Sequence, residues 1–189
     1  MSERIRVNGE RFVRMLTERR IKTRVRALAR TISADYRGRV PVFIGVLNGS
    51  FIFFADLIRE MTIDCEVDFL KLSSYGDAKI STGNVRLLKN LDCQVTGRDI
   101  IIVEDIVDSG LSIQYIRDLI LRQNPASFRI VTLLYKKEAA RVSVPLDYVG
   151  FTIPKDFVIG YGLDYAQRER NLRAIYRLAG PGSARRQSG

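Results

Sequence analysis

Ile100-Ile-Ile-Val103 constrains this chain more than any other stretch. Four consecutive β-branched apolar residues offer no polar face, so the strand they form is covered on both sides. That is the condition of a parallel sheet with helices packed on both faces. Three carboxylates follow at once, Glu104, Asp105 and Asp108, and then Ser109, Gly110 and Ser112. Ile113, Ile116, Leu119 and Ile120 recur at helical spacing. The stretch therefore reads as strand, acidic turn, small hydroxyl-bearing loop and helix. Such a loop aims backbone N–H groups and hydroxyls at a helix start, a ready site for a phosphate. Acidic side chains beside a phosphate are costly unless they serve sugar hydroxyls, a divalent cation or a transferred proton. Together these features ask for a sugar phosphate.

The same grammar recurs along the chain. Residues 1–16 are expected as a short strand or a mobile arm. Thr17 is a candidate N-cap, and Ile21, Val25, Leu28, Ile32 and Tyr36 mark an amphipathic helix stopping near Gly38. Val40 to Leu47 is an apolar strand, Asn48-Gly49-Ser50 a break, and Phe51 to Arg59 a short, largely buried helix. From Ile63 to Leu72 apolar and acidic residues alternate, with Ile63, Cys65, Val67 and Phe69 expected inward. Ser73 to Asn84 has no period, and a loop of that length in a compact domain is functional or poorly ordered. Strands are expected at Val85–Leu91, Phe128–Leu134, Tyr148–Ile153 and Phe157–Tyr161, and the helix after Ser112 ends at Asn124-Pro125. Alternating strands and helices predict an α/β fold with a mainly parallel, twisted sheet flanked by helices. Ligands then bind at the carboxyl ends of the strands, where the breaks at 48–50, 104–112 and 136–137 fall.

Composition narrows the chemistry. Histidine is absent, which removes Ser-His-Asp and Cys-His catalysis and most zinc sites. Acid–base work falls to carboxylates, lysine or tyrosine. Cys65 and Cys93 share no metal-ligand spacing and read as free thiols of a reduced, cytoplasmic protein. No apolar run approaches the roughly 20 residues that span a bilayer, so no membrane partner is expected. The net charge of +10 is uneven: residues 1–40 hold 12 Arg/Lys against 4 Asp/Glu, and the rest 19 against 17. An excess confined to one block reads as a solvated or oligomer-facing helix ahead of a nucleic-acid face.

Val103-Glu-Asp-Ile-Val-Asp-Ser-Gly-Leu-Ser112 resembles the phosphoribosyl-diphosphate signature of the type I phosphoribosyltransferases. Leu47 to Asp56, Ser73-Ser-Tyr75, Leu133-Leu-Tyr-Lys136 and Ile153 to Tyr165 are similar, in order, to the hypoxanthine-guanine members of that family. The resemblance covers about residues 17–178. It implies one phosphoribosyltransferase domain over 1–178, with a core over about 17–153. A small hood is expected from the N-terminal segment and about 154–178, and a disordered tail over 179–189. It also implies transfer of a phosphoribosyl group from 5-phosphoribosyl 1-diphosphate to a 6-oxopurine with Mg²⁺, in a dimer or tetramer.

Carried over, Ser109, Gly110, Leu111 and Ser112 would hold the 5′-phosphate, while Glu104 and Asp105 would face the ribose hydroxyls directly or through Mg²⁺. Asp108 would lie beside purine N7 as the proton acceptor. Lys136 would donate to the purine 6-oxo group, Phe157 would stack on the base, and Val158 and Asp164 would address its 2-position edge, Asp164 also near the metal. Asn48, Gly49 and Arg170 would receive pyrophosphate, and Ser74 and Tyr75 would belong to a closing lid. Two positions depart from many relatives, which have lysine where this chain has Asn48 and, in some, where it has Leu111. From a different functional class, a phosphoribosyltransferase-fold regulator that binds RNA is the alternative suggested by the charge.

Overall fold

A computed structural model of the chain describes residues 3–74, 85–142 and 145–180. Its centre is a six-stranded sheet of β3 (Val42–Leu47), β4 (Glu66–Ser74), β5 (Val85–Lys89), β6 (Asp99–Val107), β7 (Ser127–Tyr135) and β8 (Tyr148–Thr152). The strands lie in the order β5-β4-β3-β6-β7-β8, all parallel except the β5 edge. The isoleucine run occupies the middle of this sheet, and Ile100 to Val103 are fully buried. Helices α1 (Glu18–Asp35) and α2 (Phe51–Arg59) cover one face, and α3 (Leu111–Leu121) packs on the other. Thr17 caps α1 by accepting the Arg20 N–H at 3.2 Å, and Ile21, Val25, Leu28, Ala29 and Ile32 form its buried stripe.

The strand-or-arm alternative at the N-terminus resolves as a hairpin. β1 (Arg4–Val7) and β2 (Glu10–Leu16) join β9 (Val158–Ile159) and β10 (Ile175–Leu178) in a second, antiparallel sheet ordered β1-β2-β10-β9. Its small core holds Phe12, Ile159, Ala174 and Tyr176. β10 has no counterpart among the expected strands, because four residues are too few to set a period. Residues 181–189, most of the expected tail, lie outside the described residues.

Three expectations need correction. Glu104 and Asp105 are not in a turn: β6 continues through them to Val107. Between Ile63 and Leu72 the alternation fails, with Val67 exposed and Asp68 buried. Asp68 accepts the backbone N–H groups of Phe69, Asp92 and Cys93 at 2.6–2.9 Å and an ion pair from Lys89, so its carboxylate organises the chain after β5. The Phe157–Tyr161 strand shortens to Val158–Ile159, because Gly160, Tyr161 and Gly162 all have left-handed backbone, which no strand accommodates.

Candidate active site

The carboxyl ends of β3, β6 and β7 converge beneath the loops that follow β9. At the end of β3 the Leu47–Asn48 peptide is cis, and the chain turns through Asn48 and Gly49 into α2. Ser50 is fully buried and donates to Val46 O at 2.6 Å, fastening the turn to its strand. Gly49 is required by close approach: a Cβ there would stand 1.8 Å from Oδ2 of Asp105. The turn and the Asp105 carboxylate are thus in direct contact.

Glu104 and Asp105 are both buried. Oε2 of Glu104 has no hydrogen-bond partner among the described residues, an expensive state for a carboxylate oxygen. Burial and the Asp105 charge push the Glu104 carboxyl well above the usual range. Burial raises Asp105 as well, against the opposing pull of the Ile106 N–H at 3.0 Å and the Arg170 charge. Adjoining buried acids of this kind call for a cation or donor hydroxyls. Among the described residues, no three carboxylates or cysteines converge as a metal cage, and Asp164, whose charge reaches Asp105, is paired with Arg170. Magnesium does not require an all-protein cage, since it keeps waters and takes substrate phosphate oxygens. The unpartnered Glu104 oxygen and the hard-oxygen donor set fit that mode.

Past β6, Asp108 is exposed, and Ser109 and Gly110 lead into α3. Gly110 sits at φ +84°, a left-handed conformation that favours glycine, and no side chain caps the helix. The first-turn N–H groups of Leu111 and Ser112 therefore face the approach to the helix, with only a long 3.4 Å contact from Leu111 N to Ser109 Oγ. Lys136 follows β7 directly, its N–H donating to Val107 O at 2.9 Å. Its side chain is only 10% exposed, and its ammonium reaches Oδ2 of Asp108 at 2.7 Å. Two residues 28 positions apart thus form one ion pair at the mouth of the loop.

The second sheet supplies the remaining wall. Phe157 is exposed, and its ring meets Tyr165 edge-on at 5.4 Å and Phe12 at 6.2 Å. Val158 is buried in β9. Asp164 accepts the Gln167 N–H at 2.9 Å and pairs with Arg170, again at 2.9 Å. Arg170 also donates to Gly162 O at 2.7 Å. Ser74 ends β4, and Tyr75 lies outside the described residues.

Known proteins share this fold. Residues 13–166 match the family model described as a phosphoribosyl transferase domain. The chain belongs to the phosphoribosyltransferase family. Among curated phosphoribosyltransferases it is 44% identical over 161 residues to the hypoxanthine-guanine phosphoribosyltransferase of Bacillus subtilis, covering 85% of this chain and 89% of that one. It is 46% identical over 163 residues to the hypoxanthine phosphoribosyltransferase of Escherichia coli K12, covering 85% and 92%. The chain spans about a quarter of the length of the bifunctional TilS/HprT protein of Listeria innocua, to which it is 44% identical over 161 residues (85% of this chain, 25% of that protein). A solved hypoxanthine-guanine phosphoribosyltransferase from Bacillus anthracis superposes with a TM-score of 0.83 at 42% identity, covering 88% of this chain and 98% of that chain.

Around this site, sequence reasoning missed Tyr161, Gly162 and Asp56. Tyr161 donates to Asp56 Oδ2 at 2.7 Å, and a Cβ on Gly162 would stand 2.1 Å from Gly49 O. The signal available was Gly160-Tyr-Gly162, since two glycines flanking a tyrosine mark unusual backbone rather than the end of a strand.

Proposed function

We propose that the chain transfers a 5-phosphoribosyl group from 5-phosphoribosyl 1-diphosphate to N9 of hypoxanthine or guanine, giving IMP or GMP and pyrophosphate. The Lys136–Asp108 pair carries the reading. A buried ammonium only donates hydrogen bonds, so it suits a purine 6-oxo oxygen and rejects a 6-amino group. The Asp108 carboxylate beside it only accepts, which suits the imidazole N7 proton. One ion pair can therefore read both the oxo group and the neighbouring ring nitrogen of a 6-oxopurine, and the named activities of the relatives agree.

In this reading the uncapped start of α3, with Ser109 and Ser112, takes the 5′-phosphate, and the Leu111 side chain is immaterial because its N–H does the binding. Glu104 and Asp105 take the ribose hydroxyls and, with Asp164 nearby, hold Mg²⁺. Bound there, Mg²⁺ would neutralise charge on the buried acids and on the leaving diphosphate. The Asn48–Gly49 turn offers backbone N–H groups to pyrophosphate, and Arg170 adds a planar multi-donor guanidinium. Phe157 stacks on the base, while Val158 presents backbone to its 2-position edge. As N9 bonds to C1′, the C1′–oxygen bond to pyrophosphate breaks, and Asp108 takes the imidazole proton at N7. Ser74 and Tyr75 belong to the segment that excludes water from C1′. The same reading places the enzyme in the cytoplasm, in keeping with two free cysteines, and expects a dimer or tetramer, which sedimentation checks.

The test is incubation of the purified chain with phosphoribosyl diphosphate, Mg²⁺ and hypoxanthine or guanine, with products separated by chromatography. Equimolar nucleotide and pyrophosphate are expected. No nucleotide from either base would refute the reading.

A further inference from the structure

We infer that Tyr161 and Gly162 are positioning residues that clamp the Asn48–Gly49 turn from the second sheet and so set its grip on pyrophosphate; this rests on the proposed transfer reaction. α2 issues directly from the turn, and whatever fixes α2 fixes the turn. Asp56 lies on α2 and accepts the Tyr161 hydroxyl at 2.7 Å. Tyr161 is 4% exposed and holds φ +53°, a conformation uncommon for a bulky residue, with its N–H tied to Leu172 O at 2.7 Å. Burial and the Asp56 carboxylate push its hydroxyl well up, so it stays a donor at neutral pH.

Gly162 makes the second point of contact. At φ +98° its Cα abuts the Gly49 carbonyl, where a Cβ would lie 2.1 Å from the oxygen. Its own carbonyl accepts Arg170 Nη1 at 2.7 Å, and its N–H donates to Arg170 O at 2.9 Å. The clamp therefore links three parts of the pyrophosphate region: the turn, its helix and the arginine. Asp56 also pairs with the exposed Arg59 at 3.6 Å, which cannot substitute for a buried tyrosine as an anchor.

The experiment compares Tyr161→Phe, Asp56→Ala, their combination and Asp56→Asn in the full chain, by steady-state kinetics and by calorimetry of Mg-pyrophosphate binding. Losing a hydrogen bond to a charged acceptor should raise KM for phosphoribosyl diphosphate and the pyrophosphate Kd about fivefold or more in Tyr161→Phe and Asp56→Ala. The purine KM should move less than about twofold, and the double variant should be no worse than the worse single one. Asp56→Asn keeps an acceptor oxygen and should recover most of the binding. An unchanged pyrophosphate Kd in Tyr161→Phe, additive losses, or a purine KM rising in step would overturn the clamp. Absence of nucleotide formation by the unmodified chain would sink the transfer reaction separately. The clamp would then be judged on the pyrophosphate Kd alone.

Discussion

Lys136 and Asp108 were each legible from the sequence as residues just past a strand, but their contact was not. It depends on the parallel register that sets Val107 beside Tyr135, and register is a property of two strands together. The ion pair joins a buried ammonium to an exposed carboxylate, so each partner fails differently when removed. Asp108→Asn keeps shape and loses the proton acceptor. Turnover should fall by about 10²–10⁴ while phosphoribosyl diphosphate binding stays near the unmodified value. Near-normal kcat would remove Asp108 from that role. Lys136→Met leaves Asp108 in water and should fold. Its kcat/KM for hypoxanthine should drop by about tenfold or more, since the 6-oxo group loses a charge-assisted donor. Retained activity would show that the 6-oxo group is read elsewhere.

At the scale of elements, the isoleucine run and its helix were readable because burial on both faces leaves a plain compositional mark. The extent of β6 was not, since carboxylates ordinarily end a buried strand. Here Glu104 and Asp105 remain on the strand, Asp105 against the Gly49 turn and Glu104 with an unpartnered carboxylate oxygen. Gly49→Ala would drive a methyl into the Asp105 carboxylate and should raise KM for phosphoribosyl diphosphate by about tenfold or more, with equilibrium purine binding changed far less. The β4 alternation failed for a related reason: pattern reasoning sends Asp68 outward, whereas three backbone N–H groups hold it in. Burial alone would raise its pKa, but those hydrogen bonds win and lower it from 3.8 to about 2. A depressed carboxylate stabilises the fold above its unfolded value and loses that contribution as pH falls through the folded one. About 2 kcal/mol should therefore disappear between roughly pH 4 and pH 2. Asp68→Asn should be less stable than the parent at pH 7 by roughly 1–3 kcal/mol in urea titration, with the gap closing across that acid window. A constant gap would show that the carboxylate charge contributes nothing. Burial and Asp68 also push the Cys93 thiol up to about 11, in line with an unreactive cysteine.

For the whole molecule, the mainly parallel sheet flanked by helices followed from the sequence, but the strand order and the pairings of the second sheet did not. The second sheet brings residues 4–16 against 158–178, a closure over more than 140 positions that no local pattern records. Phe12 joins the two halves, fully buried and within ring contact of Phe157 and Tyr165. Phe12→Ala should cost about 3–5 kcal/mol and loosen the Phe157 wall, raising purine KM more than phosphoribosyl diphosphate KM. Equal shifts in both would mean the second sheet supports the fold without shaping the base pocket. The basic N-terminal block falls on β1, β2, α1 and the turn after it, where Arg14, Lys22, Arg26 and Arg39 pair with Glu3, Glu18, Glu60 and Asp99. In the proposed reaction the Lys136–Asp108 ion pair turns a phosphoribosyl site into a 6-oxopurine site. The direct measurement is kcat/KM for hypoxanthine and for adenine under the same phosphoribosyl diphosphate and Mg²⁺. Hypoxanthine should lead by at least about a hundredfold, the scale set by a mismatched buried donor. Comparable values for the two bases would show that the ion pair does not select the 6-oxo group.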